Sequence, residues 1–293
     1  PTGQEDDCCG GSSHAPTHPG GHGSMDTGRL DTGSMERVAT TPLDQVKDAR
    51  WVLAPLRTLV AVAHTAFCSA FGLCAMALRL ADGDWVMWNV GRRMWSKPML
   101  RWVVGAKWSV EVDPETMQLA ASRQGLVLVC NHTSLLDINA AFAAIPTPIV
   151  FLSKASIRKV PLLGRINEKA GTVFVERGNR TSSEKAIAHL TKTLAKGRSV
   201  LVFPEGTRSK DGRLMPFKKG AFHLAAAAGA PIVPMHIEGT HAILPANGWT
   251  LRPVTSNIRV RIGAPLPPGD SVEETTKRAE DQVRALGQAD VPA

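Results

Sequence analysis

The segment Asn131-His132-Thr133-Ser134-Leu135-Leu136-Asp137 sets an imidazole and a carboxylate five positions apart, directly after the apolar run Leu126 to Cys130. A histidine can take a proton near neutral pH. It does so usefully when a carboxylate fixes its tautomer and stabilises the imidazolium that forms. On a continuous helix these two side chains would lie on different faces, because only residues three or four apart meet. They converge if His132 lies in a loop and Asp137 in the first turn of a helix, for which Thr133 and Ser134 are suitable N-cap residues. The alternative is a capped helix start with a hydrogen-bonded histidine and no chemistry.

A second polar cluster, Phe203-Pro204-Glu205-Gly206-Thr207-Arg208-Ser209, follows the apolar run Ser199 to Val202. Gly206 lets backbone approach a ligand closely. Thr207 offers a hydroxyl and Arg208 a planar fork suited to phosphate. Glu205 stands just before them and could orient Arg208. A plain break between strand and turn would account for Pro204 and Gly206, but not for Glu205, Thr207 and Arg208 together. Cys130 reads as a packing residue rather than a nucleophile. No GxSxG elbow, Walker A loop, HExxH or paired CxxC is present, so neither a metal nor a prosthetic group is expected.

The elements that must position these residues are short strands rich in branched residues: Leu126–Cys130, Ile149–Leu152, Thr172–Val175, Val200–Phe203, Ile232–Ile237 and Ile258–Ile262. Several are unbroken apolar runs, as expected of strands buried on both faces. Helical patterns fill the gaps: one opened by Ser182-Ser183-Glu184 and stopped at Gly197, one from Lys219 to Ala228 closed by Gly229, and a last one from Val272 to Leu286. This alternation argues for an α/β fold with a central, mostly parallel sheet flanked by helices. Ligands of such sheets bind beyond the carboxyl ends of the strands, and both His132 and Glu205 follow strand ends.

Composition bounds the partners. The chain has 293 residues with 34 Lys and Arg against 26 Asp and Glu, a formal +8. Between Lys154 and Lys219 sixteen basic residues face five acidic ones. That excess suits phosphorylated lipid, an anionic membrane or the phosphates of CoA. Nucleic acid fits less well, because this stretch has neither Trp nor Tyr for stacking. The five Cys form no framework and suit a reducing compartment.

The chain divides into three zones. Residues 1–50 form a polar, aromatic-free tail expected to be disordered. Met25 and Met35, each preceded by Gly-Ser, are candidate starts. His14, His18 and His22 recur there every four positions near Cys8 and Cys9, but Pro and Gly interrupt any helix that would gather them. Residues 51–110 are expected to be a membrane-associated helical segment. Thr58 to Leu78, between Arg57 and Arg79, carries no formal charge and matches the ~20 residues needed to cross a bilayer. A two-helix element dipping into one leaflet and a buried core helix compete with a spanning helix. Trp88, Trp95 and Trp102 then repeat every seven residues among Arg92, Arg93, Lys97 and Arg101. They form a helical stripe suited either to the headgroup region or to core packing, with a break before Pro98. More Lys and Arg follow the apolar run than precede it, which puts the third zone, residues 111–293, on the cytoplasmic face of a cell membrane.

The motifs resemble those of the glycerolipid acyltransferases, most closely the bacterial-type 1-acyl-sn-glycerol-3-phosphate acyltransferases. NHxSxxD is matched by Asn131, His132, Ser134 and Asp137. GxxFxxR is matched by Gly171, Phe174 and Arg177, with Glu176 where an Asp is usual. FPEGTRS is Phe203 through Ser209, and a VPV-like strand is Ile232-Val233-Pro234-Met235. Lys154 and the run Pro216 to Phe222 also look like the family. The resemblance covers roughly Trp85 to Pro265 and implies an acyl transfer from acyl-CoA or acyl carrier protein to the free hydroxyl of 1-acyl-glycerol-3-phosphate. His132 would be the base and Asp137 its partner. Lys154, Gly171, Phe174, Arg177, Glu205, Gly206, Thr207 and Arg208 would form the substrate site. The acceptor could instead be another lysolipid, such as a lyso-ornithine lipid or lysophospholipid, or glycerol-3-phosphate. A non-catalytic lipid-binding protein on the same fold is the other class of reading.

Overall fold

The computed structural model describes residues 51–288 apart from 177, 268 and 270. The polar tail with its His and Cys cluster, and Arg177, lie outside the described residues.

The apolar run forms helix α1 (Ala54–Ala77). After a tight turn, Asp82 caps a short helix start by accepting from Trp85 N at 2.8 Å. The chain then winds through α2 (Val86–Ser96) and α3 (Met99–Val104) in wide i→i+5 turns and stops at Gly105, which has φ +71°. The helical layer therefore ends at Gly105 rather than at residue 110. Lys97 and Pro98 keep helical angles, so the expected break before Pro98 is absent. The wide turns also dissolve the seven-residue tryptophan stripe, which needs ordinary helical periodicity. Trp95 packs edge-on against Phe142 at 5.9 Å, Trp88 lies under the Arg92 guanidinium at 4.4 Å, and Trp102 is 74% exposed.

The remaining elements alternate: β1 (Trp108–Val112), α4 (Pro114–Ala121), β2 (Val127–Cys130), α5 (Leu136–Ala144), β3 (Ile149–Lys154), α6 (Leu163–Lys169), β4 (Val173–Val175), α7 (Arg180–Ala195), β5 (Ser199–Val202), α8 (Gly220–Ala228), β6 (Ile232–Glu238), α9 (Thr240–Ile243), β7 (Ile258–Ile262) and α10 (Val272–Gln288). The strands form one sheet in the order β1-β7-β6-β2-β5-β3-β4. Every neighbouring pair is parallel except β6 with β7. The six expected strands are all there. β1 is an addition, an edge strand with Ser109 and Glu111 turned to solvent, and its first three residues fall inside the segment 51–110 expected to be helical.

β2 runs through the centre with all four residues buried. Leu128 and Cys130 pack with α5 residues such as Ala140 and Phe142 on one face, while Val127 and Val129 pack with Leu190, Phe222 and Val283 on the other. Strands covered on both faces need no polar alternation, which is why they read as plain apolar runs. α1 lies along α2 and α6. Its approach is close at Gly72, where a Cβ would come within 3.0 Å of Ile166 Cδ1.

Candidate active site

Because β2, β5 and β6 run the same way, their carboxyl ends open onto one edge of the sheet. His132 lies in the loop after β2 and Asp137 in the first turn of α5, as required for the two to meet. His132 Nδ1 is 3.0 Å from Asp137 Oδ2. That same oxygen accepts from Thr133 N at 2.7 Å and Ser134 N at 2.8 Å. Asp137 Oδ1 accepts from the Thr240 hydroxyl. The helix cap differs from the expected one. Leu135 holds the N-cap position without a capping side chain. Asp137 instead folds back to satisfy the backbone N–H groups of Thr133 and Ser134, while the Ser134 hydroxyl accepts from Leu136 N at 3.1 Å. Asp137 is fully buried, and the His132 side chain keeps 15% of its surface open. Its Nε2 has no partner among the described residues. An imidazole so held is oriented by one nitrogen and free to exchange a proton at the other.

The Glu205 loop is tied to this one through backbone. Glu205 Oε1 accepts from His132 N at 2.6 Å and Oε2 from Met215 N at 3.1 Å. Ser209 N donates to His132 O at 2.8 Å. Glu205 is only 3% exposed. Burial pushes its carboxyl up to about 7, against the pull of the two N–H bonds. Glu205 therefore neither orients Arg208 nor faces a ligand: it is the clamp between the two motif loops. The Phe203 ring stacks on the His132 imidazole with centroids 4.0 Å apart. Cys130 is buried, with burial holding its thiol well above the usual range, which suits packing and not attack.

A cavity of about 270 Å³ opens beside Phe203, between β3 and β5 on one side and α7 and α8 on the other. Lys154, Gly206 and Lys218 stand in its wall, followed by apolar residues such as Leu152, Ile187 and Leu224. Gly206 needs its φ of +74°, and a Cβ there would meet Lys218 Nζ at 2.8 Å. Thr207 is exposed. Arg208 Nη1 is buried with no hydrogen-bond partner among the described residues, an unusual state for a guanidinium and a natural one for a group awaiting an anion.

Two of the expected site residues are not brought here. Gly171 precedes β4, at the opposite end of a strand parallel to β3, and its open backbone admits the Arg198 guanidinium, 2.7 Å from where a Cβ would stand. Arg198 in turn donates to Ala170 O and pairs with Asp84. Gly171 is thus a packing glycine. Phe174 lies one residue before the cavity-lining Val175 and so faces the other side of the sheet. Conversely, Thr240 was not singled out from the sequence. Its only signal is its place directly after Gly239 at the end of β6, the third strand to reach this edge. Asn131 was seen only as a motif letter. It donates to Ile237 O at 2.9 Å and accepts from Ile237 N at 2.8 Å, so its side chain extends the sheet's hydrogen bonding into the loop.

Residues 111–238 match the family described as Acyltransferase. A Cocos nucifera protein named 1-acyl-sn-glycerol-3-phosphate acyltransferase is 34% identical over 190 residues, 64% of this chain and 59% of that one. An Escherichia coli K12 protein of the same name is 37% identical over 122 residues, 41% of this chain and 50% of that one. The chain spans about three fifths of the length of the first of these relatives. The crystal structure of the 1-acyl-sn-glycerophosphate acyltransferase PlsC from Thermotoga maritima superposes with a TM-score of 0.69 at 25% identity, covering 83% of this chain and 99% of that one. The matched residues 111–238 contain the His132–Asp137 pair and the Glu205 clamp.

Proposed function

We propose that this chain transfers a fatty acyl group from acyl-CoA or acyl carrier protein to the free hydroxyl of 1-acyl-glycerol-3-phosphate, giving phosphatidate for phospholipid synthesis. The observation that carries the reading is His132, held at Nδ1 by buried Asp137 with Nε2 unpartnered among the described residues. Nε2 takes the proton of the acceptor hydroxyl as its oxygen attacks the thioester carbonyl. The carbon–sulfur bond breaks, and the departing thiolate takes the proton back from the imidazolium. A positioned base contributes about 10²- to 10⁴-fold, so orientation by the clamped loops supplies much of the rest. Arg208 Nη1 and Lys154 hold the acceptor phosphate, joined by Arg177 on the strength of the sequence motif. The reading calls on no metal or prosthetic group. The relatives' names favour lysophosphatidate as acceptor. Another lysolipid or glycerol-3-phosphate would use the same residues, since the cations recognise phosphate and do not count acyl chains. A non-catalytic lipid binder would have no use for the His132–Asp137 pair.

The membrane part of the reading rests on α1. Among the described residues it is the one helix long and apolar enough to cross a bilayer, by length and composition. Its polar residues, however, face the protein. Arg57 donates to Val103 O and Val104 O, Thr58 accepts from Leu251 N at 2.9 Å, and Thr65 accepts from Trp95 Nε1 at 2.9 Å. Leu56, Leu59, Val62 and Phe67 face outward. A helix bound along its length in this way lies in one leaflet of the cell membrane, with the catalytic domain on the cytoplasmic side. The test is labelled oleoyl-CoA supplied with lysophosphatidate, other lysolipids and glycerol-3-phosphate. Labelled phosphatidate is expected from the first, and His132→Ala should abolish it. A His132→Ala protein that retains the rate would remove the proposed base.

A further inference from the structure

A second cavity, of about 540 Å³, lies between the start of α1, the Gly105 turn and the chain leading into β7. β7 runs against β6 and alongside β1, while β6 runs with β2. The residues that enter β7 and β1 therefore stand at the sheet edge where β2 and β5 end. β7 is two strands from β2, roughly 10 Å across. The cavity is thus a neighbour of the catalytic loops and not part of them, and none of the residues assigned above to the reaction lines it.

Its chemistry is one-sided. Arg57 and Lys107 supply two cations, Thr255 and Asn257 supply exposed hydroxyl and amide groups, and no acidic residue among the described residues lines the wall. The Arg57 fork is fixed by the carbonyls of Val103 and Val104, and the Lys107 ammonium has no partner among the described residues. Residues close to these along the chain are apolar and exposed. Val52, Leu53 and Leu56 lie at the start of α1, Trp102 projects from α3, and Trp249 is 88% exposed two residues before Leu251, whose N–H is bonded to Thr58 on α1. Cations and hydroxyls in a recess, with bare indole and aliphatic side chains close by along the chain, match the groups a bilayer surface offers, where indoles settle at headgroup depth and basic groups meet lipid phosphate.

From this we infer that the recess is a headgroup site for an anionic phospholipid of the surrounding bilayer, a lipid that is bound and not converted. It rests on the reading that α1 lies in a membrane, and it goes beyond that reading by assigning a specific anion site to Arg57 and Lys107. Occupancy would seat the catalytic edge at headgroup level, where a lysolipid hydroxyl is presented.

The experiment is sedimentation of the full chain with vesicles of phosphatidylcholine alone or with phosphatidylglycerol added. Lys107→Glu should lower affinity for the anionic vesicles roughly tenfold. It should leave binding to phosphatidylcholine vesicles, and acyl transfer from detergent-dispersed substrates, unchanged. Lys185→Glu, the same charge change on α7, should move the anionic preference far less, whereas Trp249→Ala should weaken binding to both vesicles. Equal losses from the two charge reversals would reduce the recess to part of a diffuse basic surface and overturn the assignment. So would competition by inorganic phosphate or CoA for the Lys107-dependent binding, which would give the site to a soluble anion. Absence of binding to either vesicle would overturn the membrane reading with it, while acyl transfer in detergent would still stand or fall by its own assay.

Discussion

The loops after β2 and β5 and the helix α1 are stabilised in opposite ways. In the loops, Asp137 accepts from two backbone N–H groups, faces the imidazole of His132 and accepts from a hydroxyl, and Glu205 and Ser209 bind the His132 backbone. These groups are buried, so their geometry depends little on what surrounds the protein. α1 has its few polar contacts on the inner side and leaves Leu59, Val62 and Phe67 bare. Its position depends on an outer medium that accepts apolar surface. The contrast implies two separable properties: chemistry set by the buried network and location set by the bare face. A change in one region should leave the other property alone.

Asp137→Asn is the strongest way to break that separation. The amide keeps the volume, and its oxygen can still accept from Thr133 N or Ser134 N. It also turns an NH₂ toward either His132 Nδ1 or Thr240, and the imidazolium loses its counter-charge. The turnover number should fall about 10²- to 10⁴-fold, with vesicle binding unchanged. A loss under tenfold would mean that Asp137 does not hold a working base. Loss of vesicle binding alongside activity would show that the two regions are one cooperative unit.

Phe67→Asp approaches from the other side. Phe67 is 62% exposed near the middle of α1. A carboxylate at a helix centre in hydrocarbon costs about 3 kcal/mol, close to a hundredfold in partitioning. Vesicle binding should drop by that order while transfer in detergent is kept. Unchanged binding would take the outer face of α1 out of the bilayer.

Glu205 sharpens the comparison through pH. Its folded pKa of about 7 lies above the usual carboxylate value near 4.5. Below about 4.5 both folded and unfolded chains hold the proton, so the group contributes no difference. As pH rises from about 4.5 to 7 the unfolded chain releases the proton first, the folded chain binds more protons, and stability falls. The loss amounts to about 3 kcal/mol once pH passes 7. Glu205→Gln cannot ionise, so its melting temperature should lack this decline relative to the wild type. It should be lower at acid pH, because an amide nitrogen cannot accept from His132 N or Met215 N. Parallel pH curves for the two proteins would remove Glu205 from the titration.

Much of this site was legible because its chemistry sits where apolar strands end. Val127–Cys130 and Ser199–Val202 are buried on both faces, so the first polar residues after them mark an edge. Helix ends at Gly197 and Gly229 were legible for a similar reason, since both adopt positive φ. What was hidden depended on partners far along the chain. Thr240 reaches Asp137 across 103 positions. Glu205 looked like a partner for Arg208 because the two are close in sequence, yet its oxygens meet the backbone of His132 and Met215. The i→i+5 turns of α2 and α3 leave no compositional mark, so a seven-residue repeat was read with the wrong pitch. The inner face of α1 carries His64, Thr65 and Ser69. Two hydrogen bonds and one burial identify it: His64 Nε2 to Trp95 O at 3.3 Å, Trp95 Nε1 to Thr65 Oγ1 at 2.9 Å, and Ser69 buried beside them.

That inner face gives the smallest and most discriminating test. Thr65→Val keeps the shape of the side chain and removes the acceptor for the Trp95 indole N–H. The hydrogen bond is worth about 1 kcal/mol, somewhat more if the N–H is left dry. In detergent the melting temperature should drop by a few degrees, as expected for about 1 kcal/mol in a domain of this size. The transfer rate should stay near wild type, because Trp95 touches α5 through Phe142 and not through Asp137. Added bilayer should restore most of the lost stability, since lipid presses α1 onto α2 from its bare side. If lipid gives no such rescue, α1 is held by its protein contacts alone. If the rate falls with the melting temperature, the buried network of the catalytic loops extends through Phe142 into the membrane-facing layer.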